Sequence, residues 1–210
     1  MSQVSQPSDS LTLDKSHYIR DVSAKFKQEH AHPVTSPAST SGCLGSAEPG
    51  DSPRSRIHTY MSLLGSLLWV TLTRPDVATV VNRACSHGSA PTMTHWRVVI
   101  RILRYYHLVC TSERGLTYVI SVRPTVVSTF TDAAFANEIA RRSRYGFAVF
   151  LGACLISWVS KCTTIMVCLS TSEAEFVAVT EAVKDIIWIR GLLKELGLLP
   201  DSASACCLRR

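Results

Sequence analysis

Two carboxylates in the second half of the chain have the residue type and the setting of metal ligands. Asp132 follows the β-branched stretch VVSTFT (126–131), and Glu175 lies in the first turn of a long predicted helix. A helix that packs on that strand can bring its first turn beside Asp132. Converging carboxylates repel each other unless they hold a divalent cation, and Mg²⁺ prefers such oxygen ligands. Because paired Mg²⁺ ions stabilise both oxygens of a phosphoryl displacement, the two acids predict a metal-dependent site for that chemistry.

A second interpretation of Glu175 needs no metal ion. Acids in the first turn of a helix are stabilised by the helix dipole, by about 0.3–1 kcal/mol. Ser170-x-x-Glu173 and Ser172-x-x-Glu175 both fit the capping-box pattern, and Glu173 is the better candidate for capping. Spacing alone leaves both interpretations of Glu175 open.

Basic residues form two candidate nucleic-acid contacts. Arg97, Arg101 and Arg104 are separated by four and three residues, so they share one face of a predicted helix. The RRSR stretch adds Arg141 and Arg142. Such residues contact nucleic-acid phosphates, and the alternative is an ordinary solvated helix face.

The elements that must position these residues change character near Gly115. Before it, apolar residues recur at helical spacing; after it, β-branched and aromatic runs read as strands and precede one long helix. This order predicts an α+β fold with an antiparallel strand meander and one long helix. The predicted helices are 18–26, 60–72, 75–86, 91–109 and 172–196, and the predicted strands are 116–120, 126–131, 143–152, 154–160 and 164–170.

The long helix is predicted to bury an apolar stripe, and two other segments are predicted to be irregular. Residues 1–10 are polar, and residues 31–53 are rich in Pro, Ser, Gly and Thr, which is typical of a linker. The predicted stripe comprises Phe176, Val179, Val183, Ile186, Ile187, Leu193 and Leu196.

Composition narrows the class of protein. The 210 residues suffice for one medium-sized domain or two small ones, and 46% of them are hydrophobic, which is typical of a chain that folds. The net charge of +6 favours polyanions such as nucleic acid. The N-terminal sequence lacks the features of a secretory signal, and no apolar run is long enough to span a bilayer. We therefore expect an intracellular, cytoplasmic or nuclear protein without a membrane partner.

Several longer stretches resemble the end of a copia-type LTR retrotransposon Pol polyprotein. YMSLLGSLLWVTLTRPDVATVV (60–81) and HWRVVIRILRYY (95–106) are similar to the tail of its reverse transcriptase. RRSRYGFAVFLGACLISWVSKCTTIMVCLSTSEAEFVAV (141–179) and AVKDIIWIRGLLKELGL (182–198) are similar to its ribonuclease H domain. SHYIRDVSAKF (16–26) resembles the segment after the polymerase palm.

The resemblance implies a ribonuclease H fold whose acids hold two Mg²⁺ ions and hydrolyse the RNA of an RNA:DNA hybrid. TFTDAAFA (129–136) is similar to the first family motif, which carries Asp132 over as the first acid. SEAEFVA (172–178) is similar to the helix motif, and its E-x-x-A register carries Glu175 over as the second acid.

The sequence departs from the family at other acids. Ala134 stands where the family often has a second acid, and the Asp-Asp pair of the polymerase does not occur in the chain. Two further acids of the family lie downstream, and Arg209 and Arg210 fall about where one of them is expected. Cations there would repel a metal ion. In the fold that the resemblance implies, a further strand pairs with the first strand of the meander. Without that strand, we expect the 126–131 strand to have an unpaired edge, open to association with another chain.

Four segments and three hypotheses follow. The segments are a reverse transcriptase-derived stretch (11–30) with a flexible linker within 1–57, a helical reverse transcriptase tail at 58–115, a truncated ribonuclease H-like domain at 116–200 and an aberrant tail at 201–210. The leading hypothesis is a Pol fragment with a defective ribonuclease H site, in which Mg²⁺ binding by two acids is weak. The second is a non-catalytic protein that binds RNA:DNA hybrid or other nucleic acid. The third is an active nuclease completed by another chain.

Overall fold

The computed structural model describes residues 3–5, 10–38, 57–110, 115–119, 126–138, 141–163, 168–198 and 206–209. The chain divides into two units, a helical unit of residues 1–5 and 12–116 and a sheet unit of residues 6–11 and 117–210. No helix within the described stretches has both the length and the apolar character needed to cross a membrane. The division of the sequence into four segments stays a prediction.

The helical unit follows the apolar periodicity of its sequence. Its helices are α1 (Ser16–Lys25), α2 (Ile57–Thr71), α3 (Ala78–Cys85) and α4 (Met93–Cys110), and a 3₁₀ turn (Pro75–Val77) precedes α3. Pro75 suits the first position of that turn because its missing N–H has no partner to lose there. Strand β1 (Gln3–Ser5) pairs antiparallel with β2 (Ser10–Asp14), so the prediction that residues 1–10 are irregular is wrong for these positions.

The helices of this unit bury one apolar core. Leu63, Leu67 and Ile102 are fully buried, as are the rings of Tyr60 and Tyr106. Complete burial of such an aliphatic side chain contributes about 1.5–3 kcal/mol relative to exposure. Since helices of this length are marginal in isolation, this packing is what stabilises them.

Two buried polar side chains of the helical unit, Tyr60 and Arg74, have hydrogen-bond partners inside it. The Tyr60 hydroxyl donates a hydrogen bond to the Ala84 carbonyl at 2.8 Å. The Arg74 guanidinium donates to both carboxylate oxygens of Asp76, at 2.9 and 2.6 Å. The Tyr105 hydroxyl donates to the same carboxylate at 2.8 Å. This cluster links the turn before α3 to α4.

The sheet unit has four strands arranged as a meander with one added parallel strand. Its strands are β4 (Val127–Ala134), β5 (Arg144–Leu151), β6 (Cys154–Cys162) and β7 (Cys206–Arg209), and β3 (Leu116–Val119) precedes them in the chain. The order is β6-β5-β4-β7, antiparallel from β6 to β4 and parallel between β4 and β7. Gly152, with a φ of 60°, forms the tight turn between β5 and β6.

The predicted strand at 164–170 is not present where the structure can test it. Residues 164–167 lie outside the described residues, and residues 168–170 form no strand. Ser170 instead caps the long helix α5 (Thr171–Glu195). A side chain that satisfies the first free N–H groups of a helix explains why the helix begins here.

Helix α5 packs on the sheet through smaller residues than the sequence predicts. Phe176, Ile187 and Leu196 are predicted to be buried, but they are 72%, 67% and 61% exposed, so that part of the stripe is wrong. The buried residues of the first half of the helix are alanines, and those of the second half include isoleucine and leucine. The buried residues of α5 are Ala174, Ala178, Ala182, Ile186, Ile189 and Leu193.

Strand β7 corrects the expectation of an open edge. Val127 pairs with Cys206 and Phe130 with Arg209, while β5 pairs with the other side of β4. The predicted unpaired edge is therefore wrong for Val127–Phe130. The connection between the two parallel strands runs through α5, as a crossover of this kind requires.

Candidate metal and nucleic-acid sites

Asp132 lies near the end of β4 on the exposed face of the sheet. Val127 packs against α5 in the core, and Thr129 and Thr131 are buried on the same side of the strand. Phe130 and Asp132 are exposed. Because alternate residues of a strand point to opposite faces, the Asp132 side chain lies on the face away from α5.

Glu175 lies just after the first turn of α5, because the helix begins at Thr171, and Glu173 is the acid of the first turn. The Ser170 hydroxyl accepts a hydrogen bond from the Glu173 backbone N–H at 3.2 Å, and Glu173 Oε2 accepts one from the Leu169 N–H at 2.6 Å. The assignment of capping to Glu173 is thus confirmed. Oε2 of Glu175 is buried without a hydrogen-bond partner among the described residues. Such an atom invites explanation, so Glu175 remains a candidate ligand.

The residues around these two acids do not fit a two-metal site. Within the described parts of the chain, no group of three or more His, Cys, Asp or Glu side chains could hold a metal ion. Ala134 offers no side-chain oxygen beside Asp132. Two Mg²⁺ ions with oxygen ligands need more carboxylates than Asp132 and Glu175 supply. The convergence of these two acids stays a prediction.

The three arginines of α4 differ in their contacts. Arg97 is exposed. Arg101 Nε donates a hydrogen bond to the Ser36 carbonyl at 3.1 Å, and Arg104 Nε donates one to the His32 carbonyl at 2.8 Å. Two of the three guanidinium groups therefore hold an earlier segment of backbone against α4. Contact of this stripe with phosphates stays a prediction.

The RRSR stretch is partly structural. Arg144 Nε donates to Oε1 of Glu138 at 2.7 Å, and both side chains are buried. The only sequence signal for this pair is opposite charges six residues apart. The Arg142 carbonyl accepts a hydrogen bond from the Glu138 N–H at 3.0 Å, and Arg142 is half-buried. Arg141 is exposed, with a φ of 56°.

A cleft of about 280 Å³ beside α5 is a feature that sequence reasoning missed. Its lining includes Tyr145 and Trp188, two basic residues and two acidic residues, namely Lys161, Lys184, Glu181 and Asp185. Lys184 Nζ donates to Oε1 of Glu181 at 2.5 Å. Burial and the charge of Glu181 raise the pKa of Tyr145, and Lys184 opposes them. The charges of the cleft balance each other and indicate no single class of ligand.

Comparison with known proteins identifies relatives of the chain. The sequence is 33% identical over 196 residues, 90% of this chain, to the retrovirus-related Pol polyprotein from transposon TNT 1-94 of Nicotiana tabacum. It is also 33% identical over 193 residues to the retrovirus-related Pol polyprotein from transposon RE2 of Arabidopsis thaliana. The chain belongs to the copia-type Pol polyprotein family.

The match covers a small part of those Pol polyproteins. The chain spans 14% of the length of the TNT 1-94 protein and 13% of that of RE2. A further relative, the secreted RxLR effector protein 161 of Plasmopara viticola, is 33% identical over 132 residues, which are 62% of this Pol-family chain and 90% of that protein. Neither a protein-family profile nor a solved structure matches the chain.

Proposed function

We propose that residues 116–209 are the ribonuclease H-like part of a copia-type Pol polyprotein, preceded by its reverse transcriptase tail, in a form that does not cleave RNA:DNA hybrids. The observation that carries the proposal is the sheet order β6-β5-β4-β7. Three antiparallel strands precede a helix, and a fourth strand returns parallel to the first strand of the meander. The resemblance implies this pairing for the ribonuclease H domain, so the topology supports the assignment.

The loss of cleavage is supported by the residues around the two candidate acids. Asp132 extends from the face of β4 opposite to the one on which α5 packs. Ala134 replaces an acid that the family often has. The described residues of β7 include Arg209 and no acid. Without further carboxylates, a pair of Mg²⁺ ions lacks ligands, and we expect no hydrolysis.

A second candidate function is binding of nucleic acid without cleavage. Arg97 on α4 and Arg141 after β4 are exposed, and the chain carries a net charge of +6. Arginines that contact phosphates displace condensed counterions, so the affinity of such a complex falls steeply as salt rises.

The test is incubation of the full chain with end-labelled RNA:DNA hybrid in Mg²⁺ or Mn²⁺. The wild-type chain and Asp132→Asn are expected to give the same background of products. Fluorescence anisotropy of the same samples at low and high salt measures binding separately from cleavage. A ribonuclease of known hybrid-cleaving activity controls for the quality of the substrate.

Metal-dependent cleavage that both Asp132→Asn and Glu175→Gln abolish would contradict the proposal, and would mean that two acids suffice or that a second copy completes the site. Binding that Arg97→Glu and Arg141→Glu weaken, and that falls with salt, would support the second candidate. Binding that does not change with salt would contradict phosphate contact.

A further inference from the structure

One face of α5 carries large apolar side chains that no described residue of the sheet unit covers. Ile187 is 67% exposed, Trp188 66% and Leu192 42%, and they lie within two turns of each other. Isolated exposed apolar residues are ordinary, but a contiguous group marks an interaction surface. We define the outer face of α5 by the exposed residues Lys184, Ile187, Trp188, Gly191, Leu192 and Glu195.

Gly191 makes a notch in the middle of this face. A Cβ atom added there would meet nothing within 4 Å, so no contact inside the chain requires the glycine. Its φ is not positive, and glycine in a helix interior is unfavourable relative to alanine. Gly191 lowers the stability of the helix, and no described residue of its own chain packs against it. The open space at Gly191 therefore leaves room for a group from outside the chain.

We propose that two copies of the chain associate through the outer faces of α5, as an antiparallel helix pair with twofold symmetry. With the twofold axis midway between Trp188 and Gly191, the indole of Trp188 enters the notch at Gly191 of the second copy. The same axis sets Ile187 opposite Leu192 of the second copy. Each contact occurs twice, because a twofold interface uses the same patch on both partners.

The charges at the ends of the face match in this register. Lys184 lies opposite Glu195 of the second copy, and Glu195 lies opposite the second Lys184. Both residues are exposed, and Lys184 has an ion pair with Glu181 inside the chain. An exposed pair of this kind adds little affinity, but opposite charges fix register and orientation. A parallel pairing would place Lys184 against Lys184 and Glu195 against Glu195.

The size of the face sets the expected strength. Stable interfaces bury about 1,200–2,000 Å² in total, and a contact over three turns of one helix lies below this range. We therefore expect a dimer that forms reversibly as concentration rises. This inference does not rest on the proposed function, because self-association is measured without nucleic acid or metal.

The test is sedimentation equilibrium of the full chain over a wide range of concentrations. The weight-average mass is expected to rise from that of one copy toward that of two. Trp188→Asp is expected to keep the chain monomeric throughout. Leu169→Ser, which changes an 87% exposed apolar residue outside the outer face, is the matched control and is expected to associate like the wild type.

Gly191→Leu separates an effect on association from an effect on folding. The open space at Gly191 accepts the side chain within one copy, and leucine is the better helix former, so the thermal midpoint is expected to stay level or rise. The filled notch no longer admits Trp188, and the variant is expected to remain monomeric. Dimers of Gly191→Leu as tight as those of the wild type would overturn the proposal.

A charge swap tests the register. Lys184→Glu and Glu195→Lys each set like charges against each other, so each is expected to weaken association by about tenfold. The double variant restores opposite charges and is expected to associate like the wild type. A wild-type chain that stays monomeric at every concentration, or single and double variants that do not differ, would also overturn the proposal.

Discussion

The helical unit encloses a core of fifteen buried apolar residues, whereas the core described for the sheet unit has seven. Both units expose some large apolar side chains, Met61 and Leu68 on α2 and a contiguous group on α5. The two units differ in the side chains that fill their cores. The described core of the helical unit is built mainly from leucines, isoleucines, valines and tyrosines, whereas three of the six buried residues of α5 are alanines.

Individual buried polar atoms of the two units also differ in whether they have a hydrogen-bond partner. In the helical unit, the Tyr60 hydroxyl and the Arg74 guanidinium have hydrogen-bond partners. In the described part of the sheet unit, the hydroxyls of Thr129 and Thr131 and one oxygen of Asp185 are buried without one. Native proteins pair nearly all such atoms. The hydroxyls of Thr129 and Tyr60 are thus a matched pair, one buried without a described partner and the other hydrogen-bonded.

The largest effect expected in the helical unit comes from a cavity in its core. Ile102→Ala should lower the free energy of unfolding of that unit by about 2–5 kcal/mol, because Ile102 is fully buried and its neighbours close the space only in part. Hydrogen exchange followed by mass spectrometry measures amide protection in each unit separately, because peptides from the two units are analysed individually. Protection should fall in α2 and α4 and remain in β4 to β6. Equal loss in both would mean that they unfold as one.

Removal of a buried hydroxyl should have opposite signs in the two units. Thr129→Val should stabilise the sheet unit by about 1 kcal/mol, because it replaces a buried hydroxyl that has no described partner. Tyr60→Phe, the matched control, should destabilise the helical unit by a similar amount, since it removes the bond to Ala84. Denaturant unfolding of both variants measures this. A change of the same sign in the free energy of unfolding of both variants would contradict the predicted difference between the two hydroxyls.

Low pH is expected to destabilise the helical unit through protonation of Asp76. This effect should be the smallest of the three predicted changes in stability. Burial alone would raise the pKa of Asp76, but the hydrogen bonds and charge of Arg74, with the Tyr105 hydroxyl, hold it below its ordinary value of 3.8. Folding then favours the charged form, so this stability is present above about pH 4 and is lost as the pH falls through the lowered value. Thermal midpoints of the wild type and Asp76→Asn across that range measure it. Parallel pH profiles would contradict the assignment.

Regular elements with strong local signals could be predicted from the sequence. The predicted helix at 172–196 is α5 to within one residue, because Ser170 and Glu173 mark its start. The predicted strands at 143–152 and 154–160 agree with β5 and β6, since the turn at Gly152 leaves little choice of register. These features depend on neighbours in the chain.

Features that depend on distant residues could not be predicted. Nothing local indicated that Arg101 and Arg104 reach the carbonyls of Ser36 and His32. The sequence of α5 is apolar on several sides, so periodicity could not choose the face that packs on the sheet. For the candidate site, the motifs supplied Asp132 and Glu175. That Asp132 lies on the face of β4 away from α5 depends on how the helix packs on the sheet.

The parallel pairing of β4 with β7 also sets an order of events during synthesis. Val149 pairs with Ser157 across one turn, whereas Val127 must wait for Cys206, which follows the whole of α5. Contacts between distant residues form late, because the loop between them must be closed before they stabilise anything. A growing chain is therefore expected to hold a three-stranded sheet whose β4 edge is bare until β7 emerges from the ribosome. During that interval the bare strand edge can pair with another chain.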